Sequence, residues 1–508
     1  MKKTLFIKNA LILTVSSLIL RFVGIIFKVW LAKLIGSEGI GLYQLVFSVY
    51  MLASTFAASG ICTAVTRLIA EELAVGTKKG AAKIMRRSVE LTLIIALATV
   101  VTVFFGAEFI ASRFLGDIRA VPALKILPLS LPFMGITSCL RGYFIARRKI
   151  TPNAVSQLFE QAVRIILVVI LVKSFYKKGL AACCGAVLFA DCAAEICSFL
   201  LLWVIWLFDT KKLKITASNS RPPQPVVKRI FHIALPITSG RYLNTALRTA
   251  ENILVPKNLA KYPFGGSNAL SQFGMIKGMA LPILFFPSTL LNSVSTLLIP
   301  EISEASAKNQ KGLVRSATQN VLKLTALVSF IFAAVFFCAG REIGMLLYKD
   351  RAVGELLRAL SPIVPLMYLD SISDGILKGL DQQAFSFRTA ISDSVIRIFL
   401  ILILLPIFGL RGFIWIMYFS NALTCGLNVG RLLKVSRARL YFVKEVFLPL
   451  GCAYIIVLTV ETLLKKIITG NLVYIILICV ISLPVYLVFL MLFGVLNHDD
   501  IRNFTKKH

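Results

Sequence analysis

The sequence predicts an all-α polytopic membrane protein with about 14 transmembrane helices. Hydrophobic residues make up 57% of the 508 residues and charged residues only 16%, and the mean hydropathy is +0.83. A soluble fold has too little interior to bury this much apolar surface, so lipid must surround most of the chain. Apolar runs of about 20 residues, the length that crosses the hydrocarbon core, recur along the whole sequence.

The first apolar run follows Lys2 and Lys3 and imitates a signal peptide, but it lacks a small-residue cleavage site and continues past Arg21. We therefore expect an uncleaved first membrane helix. The other runs follow at short intervals. The predicted spans lie near residues 8–34, 40–66, 88–112, 121–146, 153–173, 180–208, 231–256, 272–299, 318–340, 355–379, 385–406, 411–433, 442–464 and 472–495.

Basic residues gather in alternate loops, after the second, fourth, sixth and twelfth predicted spans. Cytoplasmic loops of membrane proteins carry such an excess of Lys and Arg. We therefore expect a multi-pass protein of the cytoplasmic membrane with both termini in the cytoplasm, as an even number of spans requires. The same loops account for much of the net charge of +32, so nucleic-acid binding is not expected. The loop residues are Lys78, Lys79, Lys83, Arg86, Arg87, Arg147, Arg148, Lys149, Lys211, Lys212, Lys214, Arg221, Lys228, Arg229, Arg431, Lys434, Arg437 and Arg439.

The sequence shows no motif for metal or nucleotide chemistry. Its ten cysteines lie in apolar stretches without a CxxC pair, and Cys in such surroundings usually behaves as a small hydrophobe. The three histidines form no HExxH motif, and no P-loop is present. We expect a protein that is not an enzyme and has no catalytic residues, metal or cofactor. Its driving force is left open between Na⁺, H⁺ and the membrane potential.

An internal repeat relates the two halves of the chain, since similar short segments recur in the same order. The paired positions are Arg21 and Arg241, Leu68–Glu71 and Leu298–Glu301, Pro132 and Pro365, and Glu160 and Asp393. Each half holds an even number of predicted spans, so both halves enter the membrane in the same orientation. Parallel repeats of this kind build two-lobed transporters with a central cavity that work by alternating access.

The repeat also predicts the domain limits. Residues 1–215 form an N-terminal lobe with helices 1–6, and residues 226–435 form a C-terminal lobe with helices 7–12. Residues 436–508 add helices 13 and 14, which stand outside the repeat. The segment Thr210–Gln224 is polar and contains prolines, which is typical of a linker.

Basic residues within spans are the candidate substrate-binding groups. Arg21 and Lys28 lie two helical turns apart and share one face of the first helix, and Arg241 and Arg248 repeat that spacing on the seventh. A charge inside the bilayer normally faces a cavity or a partner. A cationic cavity suits a phosphate or pyrophosphate, for which Arg offers a bidentate fork. The alternative is that these side chains extend to the membrane interface.

Two pairs of opposite charges within spans are candidates for a gate or a structural ion pair. Glu160 with Arg164, and Asp393 with Arg397, stand four residues apart, the spacing that closes an ion pair along a helix. Further carboxylates within spans are candidates for cation or proton coupling. They are Asp191, Glu195, Asp370 and Asp374.

Several segments resemble the stage V sporulation protein B group of polysaccharide exporters, within the multidrug/oligosaccharidyl-lipid/polysaccharide flippase superfamily. The segments are Arg21–Gly24 (RFVG), Gly36–Gln44 (GSEGIGLYQ), Ala70–Glu72 (AEE), Thr151–Arg164 (TPNAVSQLFEQAVR), Gly278–Pro282 (GMALP) and Leu298–Glu304 (LIPEISE). The resemblance covers most of the chain. The loop Ala146–Lys149 is more basic than the group's pattern, which affects the subfamily and not the superfamily.

The resemblance implies a V-shaped flippase for an undecaprenyl-pyrophosphate-linked saccharide, such as lipid II for the spore cortex. It implies a cationic central cavity, which Arg21, Lys28, Arg241 and Arg248 match by position, and a groove for the lipid tail beside helices 13 and 14. The expected partners are the polyprenyl-pyrophosphate-linked saccharide and membrane lipids, with cell-wall synthesis enzymes as further candidates.

Three other functions are alternatives to a flippase. A multidrug/cation antiporter of the same superfamily would need an acidic cavity, whereas the first helix of each half carries basic residues up to Glu251. A membrane glycan polymerase or glycosyltransferase would need catalytic carboxylates in a large outer loop, and the predicted outer loop 257–271 has none. A non-transporting scaffold for cell-wall enzymes requires no particular sequence feature, so this alternative stays open.

Overall fold

A computed structural model of the chain describes residues 2–58, 60–74, 78–175, 179–211, 225–263, 269–439, 441–465 and 471–496. Within these ranges nearly every residue is helical and no strand occurs, which confirms the predicted all-α class. The predicted linker lies outside the described residues from Lys212 to Gln224, and so do the basic residues within that stretch.

The helices follow the predicted spans closely. The first half contains α1 (Lys2–Ala58), α2 (Ile61–Ala74), α3 (Lys78–Phe105), α4 (Ala107–Phe109), α5 (Val121–Ile126), α6 (Leu131–Ala146), α7 (Thr151–Phe175), α8 (Leu180–Lys211) and α9 (Val226–Leu259). The second half contains α10 (Ala269–Phe273), α11 (Leu281–Phe285), α12 (Ser288–Ala307), α13 (Lys311–Tyr348), α14 (Arg351–Leu360), α15 (Val364–Gly379), α16 (Gln383–Ser436), α17 (Leu448–Leu464) and α18 (Asn471–Leu492). Short π-helical or 3₁₀ turns continue several of them, at Ile110–Leu115, Ile118–Ala120, Leu127–Ser130, Gly274–Ala280, Ser361–Ile363 and Phe442–Phe447. In the described part of the chain, nine helical segments are long and apolar enough to cross a membrane.

Two very long helices are each bent at a glycine into two segments. α1 bends at Gly36, with φ 72° and ψ 176°, and α16 bends at Gly409, with φ 55° and ψ −133°. Residues with a side chain rarely adopt such angles. The bends fall between the first and second predicted spans, and between the eleventh and twelfth, so the predicted boundaries there are confirmed.

The second predicted span, 40–66, is wrong as a single helix. α1 ends at Ala58, and Gly60, with a φ of 76°, precedes α2. The sequence stays apolar across this break, so hydropathy alone does not mark it. A methyl group on Gly60 would also lie 2.3 Å from the Thr238 side chain of α9, so the glycine permits close packing as well as the turn.

The chain packs into two compact units. The first comprises Met1–Phe27 and Glu38–Lys257, and the second comprises Lys28–Ser37 and Asn258–His508. Most of α9 therefore packs within the first unit, although the repeat in the sequence assigns this helix to the C-terminal lobe. The division into lobes at 1–215 and 226–435, with an additional pair at 436–508, stays a prediction.

The core of the first unit lies where α2, α3, α6 and α8 meet the first turns of α9. Its buried residues include Ile69, Phe144 and Ile230, each 0% exposed. Small residues allow the backbones to approach, as is common between membrane helices. A methyl group on Gly142 of α6 would lie 2.8 Å from the carbonyl oxygen of Cys62 in α2.

In the second unit α13 is the central helix, and 72% of its most apolar stretch is buried. It packs against α12, α14, α15, α17 and α18. Tyr486 of α18 donates its hydroxyl to the carbonyl oxygen of Leu327 at 3.4 Å, and Tyr454 of α17 stacks edge-on against Phe337. The two C-terminal helices that stand outside the repeat are thus packed on α13.

The internal repeat is visible in the helix limits. The sequence offset that places Pro132 on Pro365 also carries the limits of α6 onto those of α15, the end of α2 onto the end of α12, and the start of α3 onto the start of α13. At that offset Leu68 falls on Glu301, so the pairing of Leu68 with Leu298 that the sequence suggests is wrong by about one helical turn. A helix returns to the same face after one turn, so a match displaced by one turn keeps the apolar pattern.

Candidate functional site

Arg21 is exposed near the middle of the first segment of α1. Within the described part of the chain this guanidinium has no hydrogen-bond or ion-pair partner. An unpaired charge within a membrane helix is unfavourable unless water or a ligand meets it. Lys28 is also exposed, but it belongs to the second compact unit, whereas Arg21 belongs to the first.

Arg241 and Arg248 are exposed on α9. Arg248 donates its Nε–H to the Oδ1 of Asn244 at 3.0 Å. Arg241 has no hydrogen bond or ion pair among the described residues. Arg21, Arg241 and Arg248 thus all lie in the first unit, and their role as substrate ligands stays a prediction.

A polar seam fixes α9 against the second segment of α1 and so orients these arginines. Thr249 donates to the carbonyl oxygen of Ser48 at 3.0 Å, and the Nδ2 of Asn252 donates to the Ser48 hydroxyl at 2.9 Å. Tyr242 stacks on Phe56 with ring centroids 4.6 Å apart. Arg241 and Arg248 of the same helix are both exposed.

An apolar groove of about 320 Å³ runs between the first segment of α1 and α7. Its walls include Ile19 and Val23, which flank Arg21 in sequence, and Ile165 of α7. Gln161 also lines the groove and accepts a hydrogen bond from Arg164 at 3.2 Å. Arg21 itself is not a lining residue of this groove, and the lining residue Gln161 contacts a charged residue of α7.

That charged residue belongs to an ion cluster within the first unit, here called the α6–α7–α8 cluster, which consists of Arg141, Glu160, Arg164, Asp191 and Glu195. Arg164 contacts Glu160 at 2.9 Å and Asp191 at 2.9 Å. Arg141 contacts the other oxygen of Glu160 at 3.3 Å. The spacing of Glu160 and Arg164 predicts their contact, but nothing in the sequence indicates the part played by Arg141.

Tyr43 of α1 extends the cluster, since it donates its hydroxyl to Asp191 at 3.3 Å. The same segment, Gly36–Gln44, carries part of the family resemblance in the sequence. Tyr43 therefore has a structural role, because its hydroxyl holds the Asp191 carboxylate in the membrane-spanning part of the fold. Whether the cluster acts as a gate stays a prediction.

The second unit contains the counterpart pair. Arg397 forms an ion pair with Asp393, which is 5% exposed, and Ser420 donates to Asp393 at 2.5 Å. Asn428 donates its Nδ2 to Asp370 at 2.8 Å. Among the described residues, no group of three His, Cys, Asp or Glu side chains could hold a metal ion.

The family described as "Polysaccharide biosynthesis protein" matches residues 6–276, which is more than half of the chain. The chain belongs to this family. A second family, described as MatE, matches residues 262–403. These matches confirm the superfamily that the motifs of the sequence indicate.

Named relatives agree with the family match. Stage V sporulation protein B of Bacillus subtilis (strain 168) is 28% identical over 418 residues, which are 81% of this chain and 80% of that protein. Lipid II flippase MurJ of the same organism is 21% identical over 414 residues, covering 78% of this chain and 76% of that protein.

Among solved structures, lipid II flippase MurJ in an inward closed conformation is similar to this family member with a TM-score of 0.72 at 17% identity. The match covers 94% of this chain and 98% of that one. At this identity the likeness shows the fold alone, and the fold is that of a multi-span helical membrane protein.

Proposed function

We propose that this protein flips an undecaprenyl-pyrophosphate-linked saccharide, such as the peptidoglycan precursor lipid II, across the cytoplasmic membrane by alternating access. Its membership in the polysaccharide biosynthesis family and its likeness to stage V sporulation protein B and to lipid II flippase MurJ support this class of substrate. The sporulation relative favours a precursor of the spore cortex.

The observation that carries the proposal is Arg21, an exposed cation within a membrane helix of the first unit that has no ion-pair partner among the described residues. A lipid-linked pyrophosphate has a strongly anionic head next to a long hydrocarbon chain. A guanidinium binds pyrophosphate oxygens in bidentate fashion, and the same helix also lines an apolar groove against α7 that suits hydrocarbon. Arg241, also without an ion-pair partner among the described residues, supplies a second cation within the same unit.

The experiment is translocation of fluorescent lipid II in proteoliposomes, comparing the wild-type protein with Arg21→Ala and Arg241→Ala. We expect each change to slow flipping by about 10- to 100-fold, since a hydrogen-bonded charge contributes roughly 1.5–3 kcal/mol. Arg21→Lys keeps the positive charge but cannot form the bidentate contact, so it should recover only part of the flipping rate.

Arg315→Ala is the matched control, because Arg315 is exposed near the start of α13 and is no candidate ligand. It should flip at the wild-type rate. Normal flipping by both Arg21→Ala and Arg241→Ala would remove these residues from the site while leaving the function standing. Absence of flipping by the wild-type protein would direct the assay to other polyprenyl-linked glycans.

A second candidate, a multidrug/cation antiporter, is favoured by the MatE match over residues 262–403. Such a protein would export cationic dyes and would not need Arg21 or Arg241. Uptake of a cationic dye into inverted vesicles, insensitive to both arginine changes, would favour this function over the flippase.

A further inference from the structure

A second cavity of the first unit, here called the α2–α9 pocket, lies between the C-terminal half of α2 and the first turns of α9. Its volume is about 380 Å³. It shares no residue with the α6–α7–α8 cluster or with the groove between α1 and α7. Leu68 and Ile233 form part of its wall and also pack in the apolar core of the unit. The polar residues that line the pocket are Arg67, Glu71, Lys228, Arg229 and His232.

The lining of the α2–α9 pocket carries more positive than negative charge. Glu71 is the single carboxylate among its described lining residues. Arg67 contacts the Oε1 of Glu71 at 3.0 Å, and Arg229 contacts its Oε2 at 2.7 Å. Arg229 also lies 3.7 Å from Glu72, the next residue of α2. Both oxygens of Glu71 are therefore engaged by cations, and no other lining carboxylate balances the charge of Lys228.

Two donors of α9 complete the polar side of the pocket. Lys228 and His232 stand four residues apart, so they share one face of the helix. Both are exposed, and neither has a hydrogen bond or ion pair among the described residues. The ammonium group supplies three N–H donors and the imidazole at least one. An anion with several acceptor oxygens matches this set of donors.

The position of the pocket along the helices favours a lipid phosphate over a free one. Arg67 directly follows the second predicted apolar run, and Arg229 comes shortly before the seventh. In the predicted orientation both of these ends face the cytoplasm, where anionic headgroups attract Lys and Arg. Leu68, Pro225 and Ile233 line the rest of the pocket, and such apolar walls suit the glycerol and first methylene groups of a lipid.

The internal repeat shows that the shared plan of the two halves does not require this arrangement. At the offset that places Pro132 on Pro365, Glu71 falls on Glu304, but Arg67 falls on Pro300. Glu304 pairs with Lys308 of its own helix, and both side chains are exposed. The carboxylate therefore recurs in the second half, whereas Arg67 has no basic counterpart there.

We propose that the α2–α9 pocket binds the phosphate headgroup of an anionic phospholipid of the cytoplasmic leaflet. Lys228 and His232 donate hydrogen bonds to the phosphodiester oxygens, and Arg67 and Arg229 add positive charge. The glycerol and the start of the chains lie on the apolar wall. The bound headgroup then joins α2 to α9, as the ion pair of Glu71 with Arg229 does. This site does not depend on the proposed function.

Binding is tested by native mass spectrometry of the purified full-length protein, titrated with phosphatidylglycerol or with phosphatidylcholine. Phosphatidylglycerol should bind more tightly, and Lys228→Gln should weaken its binding about fivefold, as expected for one basic residue at an anionic surface. Lys83→Gln is the matched control, because Lys83 of α3 is also exposed and without a partner among the described residues but does not line the pocket. Equal affinity for the two lipids, or equal losses from the two lysine changes, would overturn the site.

Glu71→Gln distinguishes headgroup binding from a purely structural role of the ion pairs. Without the carboxylate, Arg67 and Arg229 are released to face the anion, so the affinity for phosphatidylglycerol should rise, in the opposite direction to Lys228→Gln. A purely structural role predicts a lower thermal midpoint for Glu71→Gln with no gain in lipid affinity, and that result would count against the proposal.

The source of the phosphate is decided with soluble probes. Phosphatidylglycerol should raise the thermal midpoint of the detergent-solubilised wild-type protein, and the increase should be smaller for Lys228→Gln. Inorganic phosphate and glycerol phosphate at the same concentration should leave the midpoint unchanged. If either soluble anion raised it as much as the lipid does, the pocket would be a site for free phosphate and the assignment to a phospholipid would be wrong.

Discussion

At the scale of single residues, the ion pairs of this protein differ in how much of the charge is buried. Asp209, at the end of α8, is 8% exposed. It accepts hydrogen bonds from the Tyr143 hydroxyl at 3.1 Å and from the Nζ of Lys149 at 2.5 Å, and it forms an ion pair with Arg147. These contacts fasten the basic loop after α6 to the end of α8.

Replacing Asp209 should therefore destabilise the fold. Asp209→Ala leaves the Tyr143 hydroxyl and the Arg147 guanidinium without their acceptor, and we expect a loss of about 1–3 kcal/mol in the free energy of unfolding. A lowered thermal midpoint of the detergent-solubilised protein would show it. Glu304→Ala is the control, because that side chain and its partner Lys308 are 67% and 59% exposed, and such a pair is worth under about 1 kcal/mol. Equal decreases of the thermal midpoint for Asp209→Ala and Glu304→Ala would contradict the stabilising role of Asp209.

The residues of the site were predictable only where the contact is local. The spacing of Glu160 and Arg164 indicates an ion pair because i and i+4 are neighbours on any helix. Arg147 and Lys149 were predictable as an orientation signal, but not as partners of Asp209. Long-range partners of this kind depend on how helices pack, which no periodicity encodes.

At the scale of elements, the two bent helices depend on their glycines for different reasons. A methyl group on Gly36 would meet nothing within 4 Å, so only the backbone angles require glycine there. At Gly409 a methyl group would also lie 2.6 Å from the ring of Tyr262. The bend of α16 therefore combines a strained backbone with close packing.

We expect Gly409→Ala to be more destabilising than Gly36→Ala. Gly36→Ala carries the strain of an unfavourable backbone region, about 1–3 kcal/mol, whereas Gly409→Ala adds the clash with Tyr262. Thermal unfolding in detergent measures both. The double variant Gly409→Ala with Tyr262→Ala should recover part of the difference. If Gly36→Ala lowered the thermal midpoint more than Gly409→Ala does, the clash with Tyr262 would not add to the destabilisation.

Helix positions were largely predictable because apolar runs of membrane length are an unambiguous signal. What the sequence did not show are the breaks inside such runs. The turn at Gly60 lies in continuously apolar sequence, and the π-helical segment Gly274–Ala280 lies in a mostly apolar run that contains Lys277. At Gly60 the break coincides with the close approach of α9, and hydropathy carries no information about such an approach.

At the scale of the whole molecule, the two halves of the chain share the same helix limits but carry different charged residues. The helix limits repeat at one constant offset, yet at that offset Arg141 becomes Asp374, Glu195 becomes Asn428, and Asp191 becomes Thr424. The helix limits are thus retained in both halves, whereas the charged residues differ between them.

The orientation of the whole chain in the membrane is a prediction from its basic loops, and it can be tested across one helix. α13 is the central helix of the second unit, with Lys308 just before it and Arg351 just after it, and both side chains are exposed. If the termini are cytoplasmic, Lys308 faces the cytoplasm and Arg351 the outside. A cysteine at position 351 should then react with a membrane-impermeant maleimide on intact cells, and a cysteine at position 308 only after permeabilisation.

The native protein is the control for this labelling, because its ten cysteines lie within membrane helices and should react little. The opposite pattern would invert the predicted topology. Labelling of both positions on intact cells would mean that α13 does not cross the membrane, against its length and burial. The expected pattern would support the placement of both termini in the cytoplasm.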